Sequence, residues 1–320
     1  MLSVSTAVKA QVQEAGARST PPPRAPATAT PAQPVLVIVP AKPGSAGAIA
    51  EPAPTASPAK VEKALAVAKK AELTPIVPVP GDATRPAFQL YAEVDLPVLG
   101  AGLVFASARL VRSQPAFCAP LCNPADLNAI DRITAGYWSV PWQTASDVGL
   151  YSIFAGAALV LVVDEGPVAA LNDAVVVAES ALSATAIASV IALAAGRPRP
   201  FLYGTDAPSS ARTDGNGGLS FVSSHASVAF ATVMSTYMAT RRLNPNSKIS
   251  LVVLGVGGLL ASFVAVARVT GGQHFITDAV GGAIIGTSTG VLVPALHSSP
   301  VKIVPVVSET QRGLAIAGVF

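Results

Sequence analysis

The chain has 320 residues, of which 51% are hydrophobic and only 12% charged, and its mean hydropathy is +0.54. A soluble domain usually carries about twice this share of charge, so the composition excludes a disordered chain and argues against an ordinary soluble domain. The net charge of +3, without a run of basic residues, excludes a nucleic-acid-binding surface. The 28 prolines are too many for helices throughout, so the chain must be divided.

Residues 1–86 are rich in Pro, Ala and Thr, as in the stretch PPPRAPATATPAQP. Such a segment cannot bury enough apolar surface to offset the entropy of ordering, so we predict a disordered tail. Within it, residues 35–39 (VLVIV) and 59–73 could be ordered; for the latter, a helix on a membrane surface and a transient linker helix are alternatives. The N-terminus lacks the apolar core of a secretory signal peptide, so we expect no cleaved leader.

Six apolar segments follow, separated by polar, Gly- or Pro-containing turns, and each is long enough for a helix. Because six nearly charge-free helices would leave a soluble domain too little polar surface, we predict an all-α, six-helix transmembrane bundle over residues 87–297, with a C-terminal tail at 298–320. The alternative is a soluble all-α protein, since several segments are shorter than the ~20 residues that span a bilayer. The segments are residues 96–111, 148–163, 168–195, 226–240, 249–267 and 279–296.

The basic turn between the fourth and fifth segments, with Arg241, Arg242 and Lys248, predicts the orientation. Short basic turns remain cytoplasmic, so we expect a multi-pass protein of the inner (plasma) membrane with both termini in the cytoplasm. Alternation then places three junctions on the periplasmic or exterior face: residues 112–147, 196–225 and 268–278.

Several further residues are conspicuous in so apolar a chain. Cys118 and Cys122 lie in the first outer loop, where the compartment permits a disulfide; two unpaired thiols are the alternative. Asp173 and Glu179 interrupt the third segment and are expected to face the interior or a polar cavity, with an ion path as a further hypothesis. His297 ends the last segment and has no evident partner.

The first of three polar clusters is GRPRPF, residues 196–201, at the end of the third segment. Two prolines stop the helix and fix the positions of Arg197 and Arg199. Guanidinium groups held in this way suit an oxyanion such as phosphate, which accepts paired hydrogen bonds. The alternative is a positively charged stop at the membrane boundary.

The second cluster is SFVSSHAS, residues 220–227, which opens the fourth segment. The hydroxyls of Ser223 and Ser224 and the free N–H groups of a helix N-terminus can bind an anion. His225 would lie beside that anion. The alternative is a serine-rich helix cap followed by a capping histidine.

The third cluster is ARVTGGQHFITDAVGG, residues 267–282, in which Arg268 offers another donor to an oxyanion. His274 precedes Asp278 by four residues, the spacing that places two side chains on one helical face. A carboxylate that binds one imidazole nitrogen fixes the tautomer and leaves the other nitrogen as a nucleophile or base. A surface ion pair and a pair of metal ligands are the alternatives.

Together the clusters resemble the signature of the type 2 phosphatidic acid phosphatase (PAP2) superfamily, over residues 148–296. That signature reads Lys, six residues, Arg-Pro; then Pro-Ser-Gly-His; then Ser-Arg, five residues, His, three residues, Asp. The chain departs from it at the family lysine, which is Ala192, and at Val222, Ser224 and Ala267. Matching positions are Arg199 and Pro200; Ser223 and His225; and Arg268, His274 and Asp278.

The resemblance implies metal-independent hydrolysis, without a cofactor, of a lipid phosphate or polyprenyl pyrophosphate through a phosphohistidine. His274 would be the nucleophile, Asp278 would orient it, and His225 would protonate the leaving oxygen. The expected partners are membrane lipids, including the phosphorylated substrate. The residues implied to bind phosphate are Arg199, Arg268, Ser223, Ser224 and Arg197.

Three alternatives remain open. A soluble or periplasmic acid phosphatase would act on small phosphoesters with the same residues. A vanadium-dependent haloperoxidase would hold vanadate in the same cradle. Because Ala192 replaces the family lysine, a catalytically weak membrane scaffold that binds anionic headgroups is the alternative from a different class.

Overall fold

A computed structural model describes residues 86–298 and the backbone of three strands outside that range. The strands are β1 (Pro34–Pro40), β2 (Lys302–Val307) and β3 (Arg312–Val319), and β3 pairs antiparallel with both others. Most of the two predicted tails, including residues 59–73, lies outside the described residues, so the disorder predicted for residues 1–86 stays a prediction. The long helices are α1 (Ala92–Val111), α2 (Val140–Glu165), α3 (Ala169–Ala195), α4 (Ser224–Leu243), α5 (Lys248–Thr270) and α6 (Ile276–Ser298).

Five of the six predicted apolar segments lie within these helices, and the third, 168–195, begins one residue before α3. Five of the helices are long and apolar enough to cross a membrane: α1, α2, α3, α5 and α6. Their outer faces leave large apolar side chains uncovered, such as Leu103 (62% exposed), Leu159 (64%) and Leu259 (75%). So much exposed apolar surface is unfavourable in water and favourable in lipid. These are the features of a multi-pass membrane protein.

Helix α4 is more polar because it lies inside the bundle, against α2, α3, α5 and α6. Thr232, Thr236 and Thr240 are buried along it. Thr236 donates to the carbonyl of Thr232 (2.8 Å), and Thr240 donates to that of Thr236 (3.1 Å). These hydroxyls are therefore satisfied within the helix and need no water. Whether α4 counts as a sixth membrane span stays a prediction.

Glycines at intervals of four residues bring α6 against α4. A Cβ atom at Gly282 would lie 2.4 Å from the carbonyl oxygen of Ser223, and one at Gly286 would lie 2.2 Å from that of Ser227. Small residues at this spacing let two helix backbones approach closely, as they do in membranes. The contact fixes the start of α6 beside the start of α4.

Two details of the loop between α1 and α2 were not determined by the sequence. Cys118 and Cys122 are joined by a disulfide bond. Helix α2 begins at Val140, well before the predicted residue 148, because Pro141 occupies its first turn, where a proline is tolerated. Asp147, expected in the loop, therefore lies on α2.

Candidate active site

One end of the bundle carries every site residue that the sequence predicted. Helices α1, α3 and α5 end there, and α2, α4 and α6 begin there. Arg197 and Arg199 follow α3, Arg268 lies in the last turn of α5, and His225 lies in the first turn of α4. The topology thus brings the three sequence clusters to a common end.

Arg197 is held by two buried carboxylates. Gly196 ends α3 with a φ of +58°, a left-handed conformation that glycine adopts readily, and turns the chain toward α6. The Arg197 guanidinium donates to Asp278 Oδ1 (2.5 Å) and to Asp131 Oδ2 (2.6 Å), and it lies 4.4 Å from the centre of the Phe275 ring. With both terminal nitrogens engaged, Arg197 anchors Asp278, a different role from the phosphate contact expected from the sequence.

Asp131 was not predicted, because it is one of several polar residues in a long loop. It lies in a short helix, Ala129–Arg132, and is fully buried. Burial alone would raise the pKa of its carboxyl, but hydrogen bonds from Arg197, Thr277 and Asn128 lower it below the ordinary value. Asp131 is thus a charged partner that fixes Arg197 and the start of α6.

His274 is buried, 2% exposed, at a turn that depends on Gly272. Gly272 has a φ of +74°, and a Cβ atom there would lie 1.8 Å from the carbonyl oxygen of Tyr137. His274 Nδ1 lies 2.7 Å from the carbonyl oxygen of Ser220 but 3.9 Å from Asp278 Oδ2. The direct His–Asp hydrogen bond expected from the i, i+4 spacing is therefore replaced by a bond to the backbone of Ser220.

This contact determines the tautomer of His274. A carbonyl oxygen only accepts, so Nδ1 carries the proton and Nε2 keeps its lone pair. Burial and the positive charges of Arg199 and Arg268 together lower the pKa of His274 to about 3, although Asp278 opposes them. The imidazole is therefore neutral near pH 7, with Nε2 available as a nucleophile.

Asp278 acts on His274 through Ser220. Ser220 Oγ donates to Asp278 Oδ2 (2.5 Å), and the backbone N–H of Phe275 donates to the same oxygen (2.8 Å). Ser220 also donates its backbone N–H to the carbonyl of Arg197 (3.0 Å). The sequence shows Ser220 only as one of four serines near His225, and nothing in that spacing distinguishes it.

His225 forms a second carboxylate–histidine pair. Its Nε2 lies 2.9 Å from Asp147 Oδ1, and Arg268 Nη1 lies 3.7 Å from the same oxygen. The side chains of His225 and Asp147 are partly exposed, at 31% and 49%. Burial and the positive charge of Arg268 lower the pKa of His225 to about 4, although the carboxylate at Nε2 opposes them. The ring is therefore neutral near pH 7 in the absence of a ligand, with Nδ1 free to contact one. Sequence analysis missed Asp147 because this pairing crosses between α2 and α4.

A third arginine, also missed, joins Arg199 and Arg268. Arg109, in the last turn of α1, contacts Ser224 Oγ and donates to the carbonyl of Leu219 (3.3 Å). The three positive charges lie close enough to repel one another. Arg199 also donates to Gln273 Oε1 (2.5 Å). Three guanidinium groups converging in a partly buried space favour a bound anion.

Arg109 lies beside the position of the absent family lysine. Helices α1 and α3 run side by side, and Ser189 Oγ donates to the carbonyl of Ala106 (3.3 Å). Arg109 and Ala192 each follow this contact by three residues, about one helical turn. Helix α1 therefore supplies a cation where α3 carries the buried side chain of Ala192.

Ser223 and Ser224 mark the start of α4 in different ways. The Ser223 hydroxyl accepts from the N–H of Ala226 (3.4 Å) and caps the helix, and Ser223 is fully buried. The Ser224 hydroxyl contacts Arg109, as described above. The first N–H groups of α4 have no partners within the helix and point along its axis, where they attract an anion.

Comparison with known proteins agrees with the residue pattern. The model of the PAP2 superfamily matches residues 173–301. The chain is also similar to the crystal structure of a transmembrane PAP2-type phosphatidylglycerolphosphate phosphatase from Bacillus subtilis, with 19% identity, coverage of 64% of this chain and 95% of that one, and a TM-score of 0.39. The curated protein sequences give no match. Residues 173–301, which contain all three polar clusters, are thus similar to the PAP2 superfamily.

Proposed function

We propose that the protein is a membrane phosphatase that hydrolyses a lipid phosphate or a polyprenyl pyrophosphate through a phosphohistidine at His274. The proposal rests mainly on the position of three arginines, Arg109, Arg199 and Arg268, next to His274. His274 is neutral, and its Nδ1 donates to the carbonyl of Ser220. Phosphoryl transfer requires positioning and neutralisation of spread negative charge, and these groups supply both.

In the first step, His274 Nε2 attacks phosphorus, so an N–P bond forms while the P–O bond to the leaving group breaks. His225 donates its Nδ1 proton to the leaving oxygen. The negative charge of the bound phosphate would offset the arginines that lower the pKa of His225, and Asp147 at Nε2 would support the protonated ring. The three arginines, the hydroxyls of Ser223 and Ser224, and the N–H groups that open α4 would hold the equatorial oxygens.

In the second step, water occupies the place of the leaving group. His225, now neutral, takes a proton from this water as its oxygen attacks phosphorus, and the N–P bond to His274 breaks. Inorganic phosphate leaves, His274 is neutral again, and His225 is protonated for the next cycle. The proposed chemistry uses arginines where other phosphatases use metal ions.

Arg197 and Asp278 are positioning residues in this scheme. The chain of contacts runs from Asp131 and Arg197 to Asp278, then to Ser220, and ends at His274 Nδ1. Each link is buried or half-buried, so it directs the imidazole without exchange with water. A fixed imidazole lowers the entropic cost of the attack.

A lipid substrate suits the location of the site. The helices that surround it expose apolar side chains along their length, while the arginines lie at their ends. A lipid substrate would place its phosphate among the arginines and its apolar tail against the exposed apolar side chains of the helices. By the positive-inside rule, the basic turn of Arg241, Arg242 and Lys248 would be cytoplasmic, and this site would face the periplasm or exterior.

The test is phosphate release by the full chain in detergent micelles. We expect release from phosphatidic acid or undecaprenyl pyrophosphate, much slower release from p-nitrophenyl phosphate, and loss by about 10⁴-fold or more in His274→Gln, measured beside its Tm. Equal or faster turnover of the soluble ester would support the acid phosphatase instead. Binding of lipid phosphates without any release would support the scaffold.

A further inference from the structure

The end of the bundle opposite to His274 contains a buried group of potential metal ligands that the proposed phosphatase chemistry does not use. Asp95 from α1, Glu179 from α3 and His297 from α6 each offer one ligand atom, and these atoms all lie within 4.8 Å of one another. His297 lies 23 residues after His274, so α6 separates the two places by about 30 Å.

The three side chains are almost completely removed from solvent. Asp95 is 1% exposed, Glu179 is 0% exposed, and the His297 side chain is 11% exposed. His297 Nε2 lies 3.1 Å from Asp95 Oδ1 and 3.2 Å from Glu179 Oε2. Two carboxylates buried side by side in an apolar bundle are strongly unfavourable unless a positive charge lies between them.

A proton on His297 would satisfy only part of this group. His297 Nδ1 lies 2.9 Å from the carbonyl oxygen of Val293, so Nδ1 carries a proton and Nε2 faces the carboxylates. A single proton on Nε2 makes one good hydrogen bond, to Asp95 Oδ1. Neither buried oxygen of Glu179 then accepts a hydrogen bond from the described residues.

A divalent cation would satisfy all three side chains. It would accept the Nε2 lone pair of neutral His297 and one oxygen from each carboxylate, and its charge would balance both carboxylates. The bond from Nδ1 to the Val293 carbonyl is the outer contact that metal-ligating histidines commonly make. Metal–ligand bonds of about 2.0–2.2 Å place neighbouring ligand atoms about 3.0–3.5 Å apart, which agrees with the distances around Nε2.

We propose that Asp95, Glu179 and His297 bind one divalent transition-metal ion, for which Zn²⁺ is the closest chemical match. Imidazole nitrogen with carboxylate oxygen is a ligand set that zinc accepts, whereas Mg²⁺ and Ca²⁺ prefer oxygen alone. Such an ion would join α1, α3 and α6 at this end of the bundle. Its distance from His274 gives it a structural role and no part in phosphate release.

The experiment uses the full chain, purified in detergent without a polyhistidine tag, stripped with EDTA and titrated with Zn²⁺. We expect one bound Zn²⁺ per chain by atomic emission. At free Zn²⁺ about 100 times the Kd, we expect Tm to rise by about 5–10 °C. Glu179→Gln and His297→Gln should lose both effects, whereas Glu93→Gln, an exposed carboxylate in the same turn as Asp95, should keep them.

Three outcomes would overturn the proposal. They are the absence of bound Zn²⁺ in the wild-type chain, equal Zn²⁺ binding in Glu179→Gln, and a Glu179→Gln variant that is more stable than the wild type while Zn²⁺ has no effect. The third outcome would mean that protons, and not a metal ion, neutralise the carboxylates of Asp95 and Glu179. Because metal content and Tm are read without substrate, failure here leaves the phosphatase proposal unaffected, and the reverse also holds.

Discussion

The buried polar clusters at the two ends of the helical bundle carry opposite charge, although the same helices supply both. Helix α1 places Asp95 at one end and Arg109 at the other, and α6 begins near His274 and ends at His297. Three arginines converge at the first end, and two carboxylates converge at the second. In an apolar bundle, each excess requires a ligand of the opposite sign.

The ends also differ in access. At the arginine end, the side chains of His225 and Asp147 are 31% and 49% exposed, so a ligand can enter and leave. At the acidic end, Asp95 and Glu179 are nearly inaccessible, so a ligand there would remain. In the proposed scheme, turnover takes place at the arginine end, and a bound ion would contribute stability at the acidic end.

Substitution of His225 tests whether turnover takes place at the arginine end. We expect His225→Gln to lower kcat for phosphate release by about 10² to 10⁴-fold, because the leaving oxygen loses its proton donor. Asp147→Asn should lower it less, since the ring remains in place without its charged partner. Assays in micelles with both variants measure this, and an Asp147→Asn loss larger than that of His225→Gln would contradict the assigned roles.

Substitution of Arg109 tests whether its charge contributes to phosphate binding. We expect Arg109→Ala to lower kcat/KM by about 10²-fold, as the loss of a single donor to the transition state commonly does. Ala192→Lys in that background should restore part of the loss, because the new lysine would come from the neighbouring turn of α3. Arg241→Ala removes an exposed arginine far from the site and is the matched control. An Arg109→Ala variant as active as this control would mean that Arg109 does not bind the phosphate.

The middle of the bundle, which connects the two ends, can be tested at Gly286. Gly286→Ala would force α6 away from the carbonyl of Ser227 and should cost about 1–3 kcal/mol, lowering Tm by several degrees. Gly258→Ala on α5 is the matched control, because a Cβ atom there meets nothing within 4 Å. Equal Tm values for the two variants would contradict the close packing of α4 and α6.

The smallest effect is on stability against pH. His274 has a pKa of about 3 in the folded chain, whereas an unfolded chain has the ordinary value of 6.5. Below pH 6.5 the unfolded chain binds a proton that the folded chain does not, so stability falls with pH by about 2 kcal/mol at pH 5. Tm should therefore drop more between pH 7 and pH 5 in the wild type than in His274→Gln. If the two variants lose the same Tm between pH 7 and pH 5, the pKa of His274 is not lowered, and its imidazole is in contact with water.

The sequence predicted the parts of the fold and site that depend on local pattern. Apolar segments located six helices, and the spacing in residues 267–282 brought Arg268, His274 and Asp278 to one end. It did not predict that Ser220 would hold His274, or that Arg109 and Asp147 would complete the site. These contacts join residues on different helices, and only packing decides which helix faces which.

The same limit explains the acidic end. Glu179 was expected to face the interior, but its meeting with Asp95 and His297 requires α1, α3 and α6 to be adjacent. The i, i+4 spacing of His274 and Asp278 predicted a direct hydrogen bond that the structure does not contain. The carbonyl oxygen of Ser220 lies closer to His274 Nδ1 than the carboxylate of Asp278 does.

In the proposed mechanism, His274 becomes phosphorylated during turnover. Rapid quenching of the full chain with radiolabelled lipid phosphate, followed by peptide mass spectrometry under alkaline conditions, tests it directly. We expect one acid-labile phosphate on His274 in the wild type, and on the same residue in His225→Gln, in which both its formation and its hydrolysis are slowed. Phosphate on another residue, or rapid turnover without any trapped phosphoenzyme in either chain, would contradict it.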